Sequence, residues 1–323
     1  MPGAAGPHTL RAMTDTQPLP QLSDDVFLTD GGIETDLIFN RGVEIPEFAS
    51  FVLHDDPAAE AVVRDYFLDY LRIGATQGYG LVLETLTWRA SSDWAPKLGY
   101  DDARLRAANE RAVEFLRDLR DRDAGSPVVV SGCIGPRGDA YSDLGTGDYD
   151  DAERYHRPQV EVLAGSGVDL VSALTLTNPA EAVGVARAAA QVGVPVAISF
   201  TVETDGKLPT GTSLSEAIAE VDAATDAAPA YYMVNCAHPD HFGDALAVDD
   251  PALTRIRGVR ANASRMSHAE LDESEVLDDG DPVELGGQLA GLHARRSHVS
   301  VLGGCCGTDH RHIAAIAAAC RAG

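Results

Sequence analysis

Eight short apolar runs, each followed by a segment of helical pattern, constrain this chain more than any other feature. The runs fall at residues 26–29, 80–87, 128–133, 168–175, 195–202, 231–236, 258–263 and 298–303. Between them, residues 57–77 place Val62, Tyr66, Tyr70 and Ile73 about one turn apart, the spacing of a single helix face. Residues 101–122, 151–165, 179–191, 213–227, 283–295 and 308–321 follow the same pattern. Thr212-Ser213 and Thr308-Asp309 supply helix-start signals. Strands this apolar, each leading into a helix, predict a parallel sheet covered by helices. Eight such units predict one closed (β/α)8 TIM barrel, and 323 residues suffice for it. The open alternative, a doubly wound sheet, usually has fewer strands, and Asp30-Gly31-Gly32-Ile33-Glu34 lacks the spacing of a dinucleotide fingerprint. Residues 1–22, rich in Pro, Ala and Thr, read as a flexible leader, and 23–323 as the barrel without an internal linker. The acidic, irregular stretch 264–282 reads as a long loop after the seventh strand.

Charge narrows the partners. Asp plus Glu total 50 against 25 Lys plus Arg, a formal net charge of -25. Such a surface repels phosphate backbones and anionic membranes, so neither nucleic acid nor a membrane is an expected partner. No apolar stretch has a membrane-spanning length and the start lacks a signal-peptide pattern, so the expected location is the cytoplasm and the expected partners are small molecules.

The five cysteines are Cys133, Cys236, Cys305, Cys306 and Cys320. An odd number with an adjacent pair argues against a disulfide framework. Active residues of βα barrels gather at the C-terminal ends of strands. Three features end strands here: Asp30-Gly31-Gly32 the first, Asn235-Cys236 the sixth, and Gly303-Gly304-Cys305-Cys306-Gly307 the eighth. Cys236, Cys305 and Cys306 can therefore meet at one mouth. Three thiolates leave one tetrahedral position of Zn2+ open, the arrangement of a catalytic site, where a substrate thiol would be held as thiolate. Plain burial of small apolar residues is the competing reading, and the one adopted for Cys133 and Cys320.

The motifs Asp30-Gly31-Gly32, Asn235-Cys236 and Gly303-Gly304-Cys305-Cys306-Gly307 together resemble the homocysteine S-methyltransferases. Residues 85–91, 132–136 and 199–202 agree in order, and the likeness runs from about 26 to 321. It implies a (β/α)8 barrel with zinc on Cys236, Cys305 and Cys306. It also implies an acceptor thiol, homocysteine giving methionine, with Asp30, Gly31, Gly32 and Asn235 at the substrate. Two departures bear on specificity. Leu174 stands where the family has a glutamate for the acceptor's ammonium, which opens the site to a different thiol or a selenol; Glu34 and Glu84 are possible replacements. Trp88 keeps an aromatic residue after the second strand for a cationic donor, with Trp94 a second candidate, but Arg89 follows Trp88 where the betaine-dependent branch has a tyrosine. The resemblance is closer to the S-methylmethionine branch, so a sulfonium donor, S-methylmethionine or S-adenosylmethionine, is expected. Delivery to a methyl-carrying corrinoid partner, or a non-catalytic zinc-thiol barrel, stays open as an alternative. His238 and His241, spaced as Cys-Ala-His-Pro-Asp-His, invite a metal reading, but His238 is expected to lie at the mouth without ligating; His310 and His312 are expected to be solvated.

Overall fold

The computed structural model describes residues 19–138 and 148–322. Eight parallel strands close into a barrel in sequence order: β1 Phe27–Thr29, β2 Gly80–Glu84, β3 Val128–Ile134, β4 Leu170–Leu176, β5 Val196–Phe200, β6 Tyr231–Asn235, β7 Ile256–Ala261 and β8 Val301–Gly304. Leu28 pairs with Leu302 and closes the cylinder. The outer layer is α1 Pro57–Gln77, α2 Asp102–Asp123, α3 Tyr149–Gly165, α4 Pro179–Val192, α5 Leu214–Thr225, α6 Pro239–Ala247, α8 Pro282–Arg295 and α9 His310–Ala322, while the short α7 His268–Asp272 lies over the barrel mouth.

Alternation along the strands separates two cores. Leu28, Val171, Ala173, Tyr232 and Val234 pack with helix residues such as Val63, Leu116 and Ile316, between sheet and helices. The alternate positions Phe27, Val82, Val129, Leu170, Leu174, Tyr231, Met233 and Val301 form a second cluster, which fills the barrel. The lower end of that filling is apolar. Towards the C-terminal ends it turns polar, with Glu84, Ser131, Ser172, Ser199, Asn235 and Arg260 all buried. Burying so many polar groups inside a barrel is costly unless they answer one another, and it is here that the site lies.

The helix starts follow the expected chemistry. Ser213 caps α5 with a reciprocal bond to Glu216, and Asp56 and Asn178 cap α1 and α4 through their side chains. Three local readings need correction. Residues 20–22, assigned to the leader, form a turn with Gln21 fully buried; residues 1–18 of the leader lie outside the described residues. Helix α6 was not expected, because its nine residues contain a glycine and bury only Phe242 and Leu246, a face too short to register. The stretch 264–282 is not uniformly loop: Ser267 starts the short helix α7 with a capping box to Glu270. No helix among the described residues is long and apolar enough to cross a membrane.

Candidate active site

A cavity of about 460 Å³ opens at the C-terminal mouth of the barrel. Its base holds Asp30, Glu84, Cys133, Arg260 and the cysteines of the sixth and eighth strand ends; its rim carries Phe39, Phe48, Trp88, Leu271 and Leu277. Three sulfurs meet there. The Sγ atoms of Cys236, Cys305 and Cys306 lie within 4.8 Å of one another, and Cys236 Sγ is 3.5 Å from Cys306 Sγ. Among the described residues this is the one group of His, Cys, Asp or Glu side chains arranged so that it could hold a metal ion. Crowding sets the thiols against each other: bonds from Cys236 and Cys306 hold Cys305 well below the usual thiol range, while the same contacts push Cys306 up. A cluster that already favours a thiolate suits a soft divalent cation.

Backbone geometry brings the sulfurs together. Cys236, a non-glycine residue, sits at φ +57°, and Thr175 at the irregular end of β4 sits at φ +63°. Such left-handed conformations are costly and persist only where surrounding contacts impose them. Asn235 holds Thr175 in place, and Cys236 N donates to Arg260 O at 3.0 Å. The Asn235 Oδ1 accepts from Thr175 N at 2.8 Å and Ser199 Oγ at 2.6 Å, and its Nδ2 donates to Thr175 Oγ1 at 2.8 Å and to Cys305 Sγ at 3.8 Å. All four hydrogen-bonding positions of the amide are used.

The Asp30-Gly31-Gly32 turn is pressed against the cysteine loop. Gly32 N donates to Thr308 O at 3.0 Å, and a Cβ on Gly32 would stand 2.4 Å from the carbonyl oxygen of Cys305. Asp30, buried to 1% exposure, faces Arg260: its Oδ1 lies 2.9 Å from Nη1. The Tyr66 hydroxyl reaches Gly31 O at 3.1 Å and Asp30 Oδ2 at 3.4 Å. Burial works against the charge on Arg260, but Asp30 and Glu84 outweigh it and hold the guanidinium protonated. Glu84 Oε1 is 3.9 Å from Arg260, and burial pushes the Glu84 carboxyl up to about 7 despite that cation. Burial also pushes Glu34 up to about 7, against a bond from Ser50 Oγ at 2.7 Å.

The remaining candidates divide. Trp88 lines the cavity and its Nε1 donates to Leu174 O at 3.4 Å; Leu174 lines the same wall. Trp94 does not line it: its ring is covered by Arg89 at 3.9 Å and Lys97 at 3.8 Å, while Arg89 itself lines the cavity and also stands 5.2 Å from the Trp88 ring. His238 caps α6, accepting from Asp240 N at 3.1 Å, and His241 is 3.0 Å from Arg265 O; neither joins the cysteines. His312 corrects its reading, for it is fully buried between Asp309 and Asp279 O, while His310 is exposed. Cys320 lies along α9, away from the mouth, and Cys133 is buried in the cavity wall. Arg260 was not singled out from sequence, although a signal existed. Gly258, whose Cβ would meet Met233 at 2.8 Å, faces the barrel interior, and Arg260 shares its face by alternation. A cation there demands a buried anion.

Fold and site define a single-barrel protein with a three-cysteine cluster at the base of its mouth. Residues 27–320 match the family model described as homocysteine S-methyltransferase. The homocysteine S-methyltransferase of Escherichia coli (strain K12) is 31% identical over 225 residues, covering 64% of this chain and 69% of that protein. Homocysteine S-methyltransferase 4 of Zea mays is 28% identical over 91% of this chain and 89% of its own. The selenocysteine methyltransferase of Astragalus bisulcatus is 24% identical over 76% of this chain and 79% of that protein. The metallated form of the homocysteine methyltransferase MmuM from Escherichia coli shares the fold, with a TM-score of 0.71 at 24% identity over 91% of this chain and 96% of that one. The chain belongs to the homocysteine S-methyltransferase family and is a methyltransferase, as its cysteine motifs implied.

Proposed function

We propose that this chain is a zinc-dependent S-methyltransferase that moves a methyl group from a sulfonium donor, of the S-methylmethionine or S-adenosylmethionine type, to a thiol or selenol. The observation that carries the reading is the convergence of three sulfurs from two strand ends at the base of a ligand-sized cavity. Similar proteins named for homocysteine and selenocysteine support this acceptor chemistry, and homocysteine is the first acceptor to test.

Zinc on Cys236, Cys305 and Cys306 would leave a fourth position for the acceptor sulfur and favour its thiolate at neutral pH. The rest falls to the protein's own groups. The Asn235 amide, aimed at Cys305 Sγ, supports negative charge on that sulfur. Asp30, Gly31 and Gly32 flank the acceptor beside the cysteine loop, and the Trp88 ring faces the donor cation from the rim. As the bond from acceptor sulfur to methyl carbon forms, the methyl's bond to the donor sulfur breaks, and the donor leaves as a neutral thioether. No general base is required at that step, because the acceptor has already lost its proton.

The test is zinc content together with methyl transfer from both donors to a panel of thiols, wild type against Cys305→Ala. About one zinc per chain is expected for a three-cysteine site. The substitution should remove the metal and lower transfer by at least about a hundredfold. A protein without zinc, whose turnover ignores the substitution, would refute the mechanism.

A further inference from the structure

Four carboxylates line the cavity: Asp30, Glu34, Glu84 and Asp278. Three of them are tied to the protein. Asp30 Oδ1 accepts from Arg260 at 2.9 Å, Glu34 Oε1 from Ser50 Oγ at 2.7 Å, and Asp278 Oδ2 from Ser264 Oγ at 2.6 Å. Glu84 is held more loosely. Its Oε1 lies 3.9 Å from Arg260, and its Oε2 is, among the described residues, the buried carboxylate oxygen without a hydrogen-bond partner. Ser131 and Ser172 stand beside it with their hydroxyls bonded to each other at 2.7 Å, which leaves one hydroxyl proton for a group with about four acceptor positions.

A carboxylate only 6% exposed with an oxygen left over is costly unless a ligand completes it. The charge count points the same way. Arg260 stands between Asp30 and Glu84, so the three groups keep one negative charge when Glu84 is ionised. Homocysteine, the first acceptor to test, brings one ammonium that loses water on entering and needs an anion in return. Leu174, at the end of β4, lines the same cavity and offers none. Glu84 and Cys305 both act on the charge of Arg260, so carboxylate and sulfurs border one small volume, which the short carbon chain between the acceptor's sulfur and its ammonium would cross. A small rotation about the last side-chain bond of Glu84, whose minimum is broad, would turn Oε2 to the ligand.

We propose that Glu84 is a specificity-determining residue: its carboxylate takes the α-ammonium of an amino acid thiol or selenol, while Asp30 keeps hold of Arg260. The inference rests on the methyl-transfer reading of the same site. The ammonium is bound before and throughout the transfer and carries none of the reacting atoms, so the discrimination should fall on KM more than on kcat.

The zinc-loaded full chain, with the better of the two sulfonium donors, would be given homocysteine and 4-mercaptobutanoate at pH 8, above the value of about 7 to which burial pushes Glu84. The two thiols differ by the ammonium alone. Wild type is expected to favour homocysteine by at least about tenfold in kcat/KM, the worth of one charged hydrogen bond. Glu84→Gln keeps the size of the side chain and removes its charge. It should raise the KM for homocysteine at least about tenfold and leave 4-mercaptobutanoate, followed as substrate or as competitive inhibitor, nearly unchanged. Should that variant fail to fold, Glu84→Asp, which withdraws the charge by one carbon, is the second and should raise the homocysteine KM alone. A folded Glu84→Gln that weakens both thiols equally, or neither, would overturn the inference; the first outcome makes Glu84 a partner of Arg260 only. Loss of the homocysteine preference in Glu34→Gln but not in Glu84→Gln would overturn it as well, by assigning the ammonium to Glu34. In each case a zinc-dependent transfer to homocysteine leaves the proposed function standing. Absence of zinc-dependent transfer to any thiol would remove both.

Discussion

Glu84 shows how one side chain ties the chemistry of the site to the stability of the barrel. Its ordinary value is 4.5, and burial pushes it up to about 7 in the folded protein. Between those values the folded chain keeps a proton that the unfolded chain has released. Folding stability therefore falls as pH rises from about 4.5 through about 7, and the full penalty stays in place above that. At about 1.4 kcal/mol per unit the penalty is about 3 kcal/mol, before relaxation of the Arg260 pair reduces it. Urea unfolding at pH 5 and pH 8 checks this: the change between the two should be smaller in Glu84→Gln than in wild type by about 1–3 kcal/mol. Equal changes in the two proteins would mean that Glu84 titrates as an ordinary carboxylate. At this scale the sequence was legible where motifs were contiguous. Cys305 and Cys306 announce themselves between glycines, and Cys236 follows Asn235 at a strand end. The partners that neutralise or orient them are scattered: Tyr66 read only as one residue of a helix face, yet its hydroxyl reaches Gly31 O on the first turn. Arg260 sat unremarked inside a strand run, because its partner Asp30 is at the other end of the chain.

The elements bring these residues together by contacts that tolerate little added bulk. The turn after β1 and the loop after β8 meet where the barrel closes, with Gly32 N on Thr308 O and Gly307 N on Thr35 Oγ1 at 3.1 Å. A methyl group on Gly32 would stand 2.4 Å from a backbone oxygen, which cannot swing aside as a side chain can. Gly32→Ala should therefore separate the turn from the cysteine loop, costing about 1–3 kcal/mol of stability and displacing Cys305. Thermal unfolding and zinc titration check it. Weakened zinc binding with a lowered Tm is the expected pair, and unchanged values of both would show that the two segments move apart without consequence. Periodicity revealed the strands and the long helices because burial on both faces of a parallel sheet leaves unbroken apolar runs. It missed α6, whose apolar face is only Phe242 and Leu246 and whose start is capped by His238 ahead of Pro239. It also missed the fold of 264–282 over the mouth, where Leu271, Val276 and Leu277 line the cavity although the segment is acidic overall.

At the scale of the whole molecule, the surplus of acid has a consequence that no single contact carries. The cations are largely spent on local pairs: Arg41 on Asp36 and Asp69, Arg137 on Asp93 and Asp151, Arg265 on Asp240 and Glu284. With 50 acidic and 25 basic side chains, a net charge of -25 remains however the pairs are shared. Exposed pairs contribute only about 0–1 kcal/mol each, and salt weakens them little by little. The repulsion among the remaining carboxylates acts over the whole surface and favours the expanded chain. Added salt screens both, but the screening length falls from about 30 Å at 0.01 M to about 3 Å at 1 M, which removes long-range repulsion before it reaches pairs in contact. Stability should therefore rise with ionic strength: a Tm increase of several degrees between about 0.01 M and 0.5 M sodium chloride. Melting in a series of salt concentrations checks it, with potassium chloride in parallel to separate screening from binding of a particular cation. A Tm that falls across both series would mean that the arginine networks outweigh the net charge.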